Sequence, residues 1–160
     1  MDREIRKKTY TPRQAKLKLE NYCAYQERSQ QEVRDKLYDM GLHENEVENI
    51  IADLISENFL NEERFVKAYV SGKFKIKHWG KVKITQHLKL KKISNPLIKI
   101  GLQEIDYDEY IQTIKDTIGK KIKEYNIPLS YQDKAKLVRY VQSKGFENEL
   151  IFEELNNLHS

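Results

Sequence analysis

The sequence is poor in the residues that make tight turns and in the residue that cross-links small secreted domains. Its 160 residues include six glycines, three prolines and one cysteine, Cys23. Sandwiches and barrels need many turn residues, so this scarcity favours a helix-rich chain. A single cysteine cannot form an internal disulfide. We therefore exclude a disulfide scaffold, interpret Cys23 as an inert core residue, and expect a reducing, cytoplasmic location.

Long apolar segments and catalytic groupings are also missing. No apolar run approaches the roughly 18 residues of a membrane span, and the N-terminal stretch MDREIRKKTYTPRQ lacks the apolar region of a secretory signal. The four histidines have no metal-ligand spacing and are interpreted as solvated helix surface; they are His43, His78, His87 and His159. We expect no enzyme activity, no cofactor, no metal and no membrane association.

Acidic residues are absent from one long central stretch. Residues 64–99 contain eleven Lys or Arg and no Asp or Glu, whereas the rest of the chain carries 18 positive and 25 negative side chains. Such a segregated positive field favours association with an anionic partner. The candidate partner-binding or nucleic-acid-binding residues are Arg64, Lys67, Lys73, Lys75, Lys77, Trp79, Lys81, Lys83, Lys89, Lys91 and Lys92.

Helix starts are marked clearly along the chain. Thr11, Pro12 and Gln14 have the spacing of a capping box, with proline at the first helical position. Further N-caps are expected at Ser29, Asn61, Asn95, Asp106 and Ser130. Between these residues the apolar side chains recur at three- and four-residue spacing, which predicts about nine helices and no strand.

A repeat becomes visible when Gly41, Lys92 and Gly145 are superposed. These anchors are 51 and 53 residues apart, and large apolar residues occupy the same six offsets around each of them. Glycine at two anchors fits a left-handed helix C-cap. We predict an all-α fold of three tandem three-helix repeats, stacked into an elongated, curved, solenoid-like body. The expected divisions are a tail at 1–10 and repeats at 11–60, 61–105 and 106–160.

The stretch SGKFKIKHWGKVKI, residues 71–84, is the most basic part of the second repeat. Its alternation would suit an edge strand, but a lone strand would have no partner, so we predict a helix whose apolar face includes Tyr69 and Ile76. Gly80 would break this helix, and two basic helices would meet at a corner beside Trp79. That corner could bind phosphates, with the aromatic ring stacked on a base, or an acidic protein groove, or it could be a solvated face.

Three stretches each combine a cap or turn residue with charged and apolar residues: SQQEVRDKLYDMGL (29–42), LISENFLNEERFVKAYVSGK (54–73) and WGKVKITQHLKLKKI (79–93). In order and spacing they together resemble the RecX family, regulators of the RecA recombinase. The third repeat, KAKLVRYVQSKGF, fits the family more loosely.

The chain also departs from the family pattern at three places. Asn61 and Glu62 stand where the family commonly shows paired Asp. Lys81 stands where proline often follows the glycine, and Lys92 replaces the glycine of the second anchor.

The resemblance implies three three-helix repeats that lie in the groove of a RecA–DNA filament. The protein would inhibit recombinase and ATPase activity there as a monomer, contacting the RecA-type filament and single- or double-stranded DNA, without catalysis of its own. Asn61, Arg64, Phe65, Gly80 and Ile84 match the family motif. We expect Phe65 and Ile84 in the core, Asn61 as a cap, Gly80 in a turn, and Arg64 in contact with the partner. The alternative is an autonomous DNA- or RNA-binding helical module that uses the basic second repeat.

Overall fold

The protein is described by a computed structural model of residues 9–158. This part of the chain contains nine α-helices and no strand, as the apolar spacing predicts. Residues 1–8 of the expected tail, and His159, lie outside the described residues. The helices are α1 Pro12–Tyr25, α2 Gln30–Asp39, α3 Glu44–Ser56, α4 Glu62–Lys75, α5 Lys81–Leu90, α6 Asn95–Leu102, α7 Tyr107–Ile122, α8 Tyr131–Ser143 and α9 Asn148–Asn157.

Side-chain caps start most of these helices where the sequence indicates. Thr11 and Gln14 form the expected capping box, and four further caps each accept the backbone N–H three residues on. These four are Ser29, Asn61, Asp106 and Ser130. The expected cap at Asn95 is wrong, because α6 begins one residue earlier with Ser94 as N-cap. The earlier start places Pro96 at the second helical position, where its missing N–H costs nothing.

The middle helix of every repeat ends in the same left-handed turn. Gly41, Lys92 and Gly145 have φ angles of +85°, +61° and +95°. Glycine adopts this conformation without a steric penalty, whereas a side chain such as that of Lys92 carries a cost of about 1–2 kcal/mol. Because one turn recurs at all three anchors, the tandem three-helix plan is confirmed, and each repeat runs from a leading helix through this turn to a closing helix.

The buried residues form two separate cores. One lies within the first repeat and includes Cys23, whose burial raises the pKa of its thiol to about 11. The other is shared by the second and third repeats. At its centre Tyr110 contacts Phe74 and Phe146, with ring centroids 5.8 and 5.4 Å apart. Leu158, which occupies the last repeat position, is exposed.

The segment between α4 and α5 is a turn and contains no strand. The helix ends at Lys75, His78 adopts a left-handed φ of 57°, and the Trp79 N–H donates to the Lys73 carbonyl at 3.0 Å. The expected place of Ile76 in the apolar stripe is wrong, since its side chain is 75% exposed. The chain leaves the helix at that point, and Trp79 packs against the core in its place. Across residues 9–158, no helix is both long and apolar enough to span a membrane.

Candidate nucleic-acid interface

Trp79 lies half-buried at the corner between the two basic helices. The Nζ atoms of Lys73 and Lys83 lie 4.8 and 4.4 Å from its ring centroid, and the His87 ring lies 4.6 Å away. Ammonium groups are attracted to the face of an indole at such distances, most strongly where water is partly excluded. Trp79 therefore holds one lysine from α4 and one from α5, and is not simply free to stack on a base. His87 packs here and is not the solvated residue that we expected.

The same pattern continues along both helices. Lys73 Nζ also lies 5.3 Å from the centroid of Tyr69, and Lys91 Nζ, at the end of α5, lies 5.8 Å from that ring. We call this set the cation–aromatic row: Lys91, Tyr69, Lys73, Trp79 and Lys83. Four-residue spacing places Tyr69 and Lys73 on one face of α4, and residues 83, 87 and 91 on one face of α5. That spacing is the signal that sequence analysis missed.

The row presents positive charge in a restrained arrangement. Lys73, Lys83 and Lys91 are each partly covered by the rings beneath them, so less side-chain freedom remains to be lost on binding. Burial raises the pKa of the Tyr69 phenol, which keeps this ring neutral between its lysines. Lysines held beside aromatic rings form a surface that can neutralise phosphates.

Arg64 is turned toward its own chain. Its Nε donates to Glu27 Oε1 at 2.9 Å, and its two terminal nitrogens donate to the side chain and carbonyl of Asn58 at 2.9 and 3.1 Å. A guanidinium that already makes these contacts ties the end of the first repeat to the start of α4. The expected contact between Arg64 and a partner is therefore left without support from this geometry.

Two lysines of the basic stretch are paired with acids. Lys91 Nζ lies 2.9 Å from Glu32 Oε1 and joins the second repeat to the first. Lys67 lies between Glu63 and Glu104, with Nζ–oxygen distances of 3.9 and 3.5 Å. The central stretch has no acids of its own beyond residue 63, yet the fold brings acids from elsewhere to it.

The remaining lysines lie on several surfaces. Lys81 Nζ lies 4.9 Å from the centroid of Tyr110, whose hydroxyl accepts the Lys81 backbone N–H at 3.0 Å. Lys77 lines a cleft against the third repeat, Lys75 lies near Glu109, and Lys89 and Lys92 are exposed. The lysines predicted as one patch are thus divided, and the row contains three of them.

The other residues that match the family motif have structural roles in the core, the helix cap and the turn beneath this surface. Phe65 and Ile84 are buried in the shared core, and Asn61 caps α4 by accepting the Arg64 N–H at 2.9 Å. Gly80 lies in the corner turn, where its N–H donates to the Lys144 carbonyl at 2.8 Å. Residues 9–158 contain no cluster of three or more His, Cys, Asp or Glu side chains arranged to hold a metal ion.

Fold and surface together define the class: a tandem three-helix repeat protein with a positively charged central repeat. Sequence models of the first, second and third three-helix domains of RecX match residues 15–54, 61–102 and 108–155. These matches cover most of the chain, and the protein belongs to the RecX family.

Individual relatives agree with this assignment. Regulatory protein RecX of Lactobacillus johnsonii is 28% identical over 134 residues, covering 81% of this chain and 48% of the relative. Regulatory protein RecX of Bacillus velezensis is 29% identical over 130 residues, covering 81% and 49%. The chain thus spans about half the length of these relatives. A crystal structure of RecX from Lactobacillus salivarius shares the fold, with a TM-score of 0.83, 22% identity, and coverage of 92% of this chain and 96% of that one.

Proposed function

We propose that this protein binds a RecA–DNA nucleoprotein filament in the cytoplasm and inhibits its recombinase and ATPase activities, without catalysis of its own. Membership of a family of regulatory proteins supports a regulatory role. The cation–aromatic row supports an anionic target, because two of its three lysines, Lys73 and Lys83, form no ion pair among residues 9–158, whereas Lys91 is paired with Glu32. A filament offers both DNA phosphates and protein surface to such a row.

The observation that carries the proposal is the pair of lysines around Trp79. Lys73 and Lys83 come from different helices and converge on one ring. Neither forms an ion pair with an acid among residues 9–158, so both charges remain available to a partner. Each ammonium can displace a counterion from a phosphate when it binds.

An autonomous DNA- or RNA-binding module is the second candidate, and the same row favours it. Two measurements on the purified chain separate the candidates: its affinity for single-stranded DNA alone, and its effect on ATP hydrolysis by a bacterial RecA on that DNA. We expect hydrolysis to fall as the protein is titrated in. Tight binding to bare DNA with no change in ATP hydrolysis would overturn the filament proposal and leave the module.

A further inference from the structure

A cleft separates the corner turn of the second repeat from helices α7 and α8 of the third. It encloses about 240 Å³ and is lined by Lys77 and His78 on one side and by Lys120, Tyr140 and Lys144 on the other. The cleft lies beside the cation–aromatic row: His78 precedes Trp79 in the corner turn, and Lys83 Nζ lies 3.5 Å from the carbonyl of Ser143, the residue before Lys144. The contact residues predicted from the sequence all lie outside the third repeat.

The cleft is positively charged and its charges are not neutralised internally. Lys77, Lys120 and Lys144 form no ion pair among the described residues. One acid, Asp116, lines the cleft, and its Oδ1 accepts a hydrogen bond from Gln112 Nε2 at 2.9 Å. Three lysines against one carboxylate leave an excess of positive charge on two facing walls. Facing walls of one sign concentrate the field between them and attract a ligand of the opposite sign.

The cleft also contains an aromatic ring among its cations. Tyr140 is half-buried, with Lys121 Nζ 4.6 Å and Lys144 Nζ 5.7 Å from its centroid. The two threonines of the cleft, Thr113 and Thr117, donate their hydroxyl hydrogens to helix carbonyls at 2.9 and 2.7 Å. Their hydroxyl hydrogens are therefore already used. The lysines remain as the main groups of the cleft that can contact an anionic ligand. Lysines that follow a groove beside an aromatic ring match a single nucleic-acid strand, which supplies repeated phosphates and flat bases.

The walls of the cleft are held by backbone contacts between the repeats. The Gly80 N–H donates to the Lys144 carbonyl at 2.8 Å, and the Val82 N–H donates to the Gly145 carbonyl at 2.9 Å. Lys83 Nζ from the row also reaches the Ser143 carbonyl at 3.5 Å. The distance between the walls is thus set before any ligand arrives, which reduces the cost of ordering on binding.

We propose that this cleft binds the phosphate backbone of single-stranded DNA through Lys77, Lys120 and Lys144, and carries the strand from the second repeat onto the third. The inference rests on the proposed function in taking DNA as part of the target, but it is tested without a recombinase. A backbone running from the row into the cleft would contact both repeats, whereas a row acting alone would use only the second.

The test measures binding of a labelled (dT)20 oligonucleotide to the full chain by fluorescence anisotropy at several salt concentrations. Lys120→Gln with Lys144→Gln should weaken binding at low salt by about tenfold or more. It should also make the slope of log K against log salt shallower by about 1.4, since each lost phosphate contact on a single strand contributes about 0.7. Asp116→Asn removes the one acid and should tighten binding a few-fold.

The matched control is Lys134→Gln with Arg139→Gln, which removes two positive charges from a separate groove beside Phe152. This control should change the salt slope much less than the cleft variant does. Circular dichroism verifies that all variants keep their helices. Equal affinities and slopes for the cleft variant and wild type would overturn the inference, as would absence of oligonucleotide binding by wild type.

Two further outcomes separate this inference from the proposed function. If the cleft variant binds (dT)20 normally but loses inhibition of a RecA filament, the cleft takes an acidic protein surface and the inference is overturned. If wild type fails to inhibit the filament while the cleft variant loses oligonucleotide affinity as expected, the proposed function fails and the inference is supported. Displacement of (dT)20 by low millimolar inorganic phosphate would show a free-phosphate site and would also overturn it.

Discussion

Gly80 and Gly145 lie back to back where the second and third repeats meet. The Gly80 N–H donates to the Lys144 carbonyl at 2.8 Å, and the Val82 N–H donates to the Gly145 carbonyl at 2.9 Å. A Cβ on Gly80 would overlap the Gly145 carbonyl, and a Cβ on Gly145 would overlap the Cβ of Lys83. Because these clashes involve backbone on both sides, the close approach of the repeats requires both glycines.

Substituting either glycine should loosen this joint. Gly80→Ala should lower the free energy of unfolding by about 2–4 kcal/mol. Gly145→Ala should cost more, because its φ of +95° is also unfavourable for alanine. Gly119→Ala is the control, since its Cβ would meet nothing within 4 Å and alanine favours a helix by about 1 kcal/mol. Denaturant unfolding checks all three variants, and equal stability of Gly80→Ala and Gly119→Ala would contradict the account.

Lys92 occupies a left-handed position that the other two repeats give to glycine. Its φ of +61° is strained for any residue with a side chain. Lys92→Gly should therefore raise the free energy of unfolding by about 0.5–1 kcal/mol after the entropy of glycine in the unfolded chain is subtracted. Lys92→Ala removes the same charge without relieving the backbone and should give no gain. Thermal unfolding that shows equal stability for the two variants would count against backbone strain at this anchor.

Tyr110 joins three elements through one buried hydroxyl. The hydroxyl donates to Glu147 Oε1 and accepts the Lys81 backbone N–H at 3.0 Å. Tyr110→Phe keeps the ring contacts with Phe74 and Phe146 but removes the hydroxyl. Glu147 and the Lys81 backbone N–H then each lose a hydrogen-bond partner. We expect a loss of about 1–3 kcal/mol in the free energy of unfolding, measured with denaturant at neutral pH. A stability unchanged from wild type would mean that water replaces the hydroxyl as the hydrogen-bond partner of Glu147 and of the Lys81 N–H.

The same phenol should make stability fall at alkaline pH. Burial, followed by the hydrogen bond to Glu147, raises the pKa of Tyr110 above its ordinary value of 10.0. The unfolded chain therefore releases a proton above about pH 10 that the folded protein keeps, so folding becomes less favourable as pH rises. Tyr110→Phe lacks this titration, and its stability deficit relative to wild type should shrink above about pH 10. A deficit that stays constant between pH 8 and pH 11 would contradict the assignment.

Arg64 should contribute to stability and not to binding. The substitution Arg64→Lys keeps the positive charge, but a single ammonium nitrogen cannot occupy the three positions from which Nε and the two terminal nitrogens donate to Glu27 and Asn58. We expect this variant to lose about 1–2 kcal/mol of unfolding free energy and to bind single-stranded DNA with wild-type affinity. Denaturant unfolding tests the expected loss of stability, and fluorescence anisotropy tests the expected wild-type affinity for DNA. Weakened DNA binding with unchanged stability would show that the original expectation for Arg64 was right.

Local signals explain why the helices were predictable. A cap such as Thr11, Asn61 or Ser130 satisfies the backbone within its own first turn, so the residues that fix the helix start are adjacent in sequence. The one-residue error at Asn95 arose because Ser94 is an equally suitable cap. The prediction that Ile76 lies in the apolar stripe requires α4 to continue past Lys75. The helix ends at Lys75 and the chain turns at His78, so the prediction fails.

The grouping of the lysines was not predictable in the same way, because it depends on contacts between distant residues. Lys67 and Lys73 belong to one helix, yet Lys67 meets Glu104 from the end of the second repeat, while Lys73 meets the Trp79 ring. Lys91 is neutralised by Glu32 from another repeat. The distribution of charge along the sequence predicts a basic second repeat. Which of its lysines remain without an ion pair depends on the acids that the fold brings next to them.

The central claim is that Lys73 and Lys83, held on Trp79, contact the filament. The most direct test compares inhibition of RecA ATP hydrolysis on single-stranded DNA by wild type, by Lys73→Ser with Lys83→Ser, and by the control Lys134→Ser with Arg139→Ser. The row variant should need about tenfold more protein for half-inhibition, since two charged contacts of about 0.7 kcal/mol each are lost. The control should inhibit like wild type. Half-inhibition by the row variant at the wild-type concentration, with its helices intact, would contradict the account.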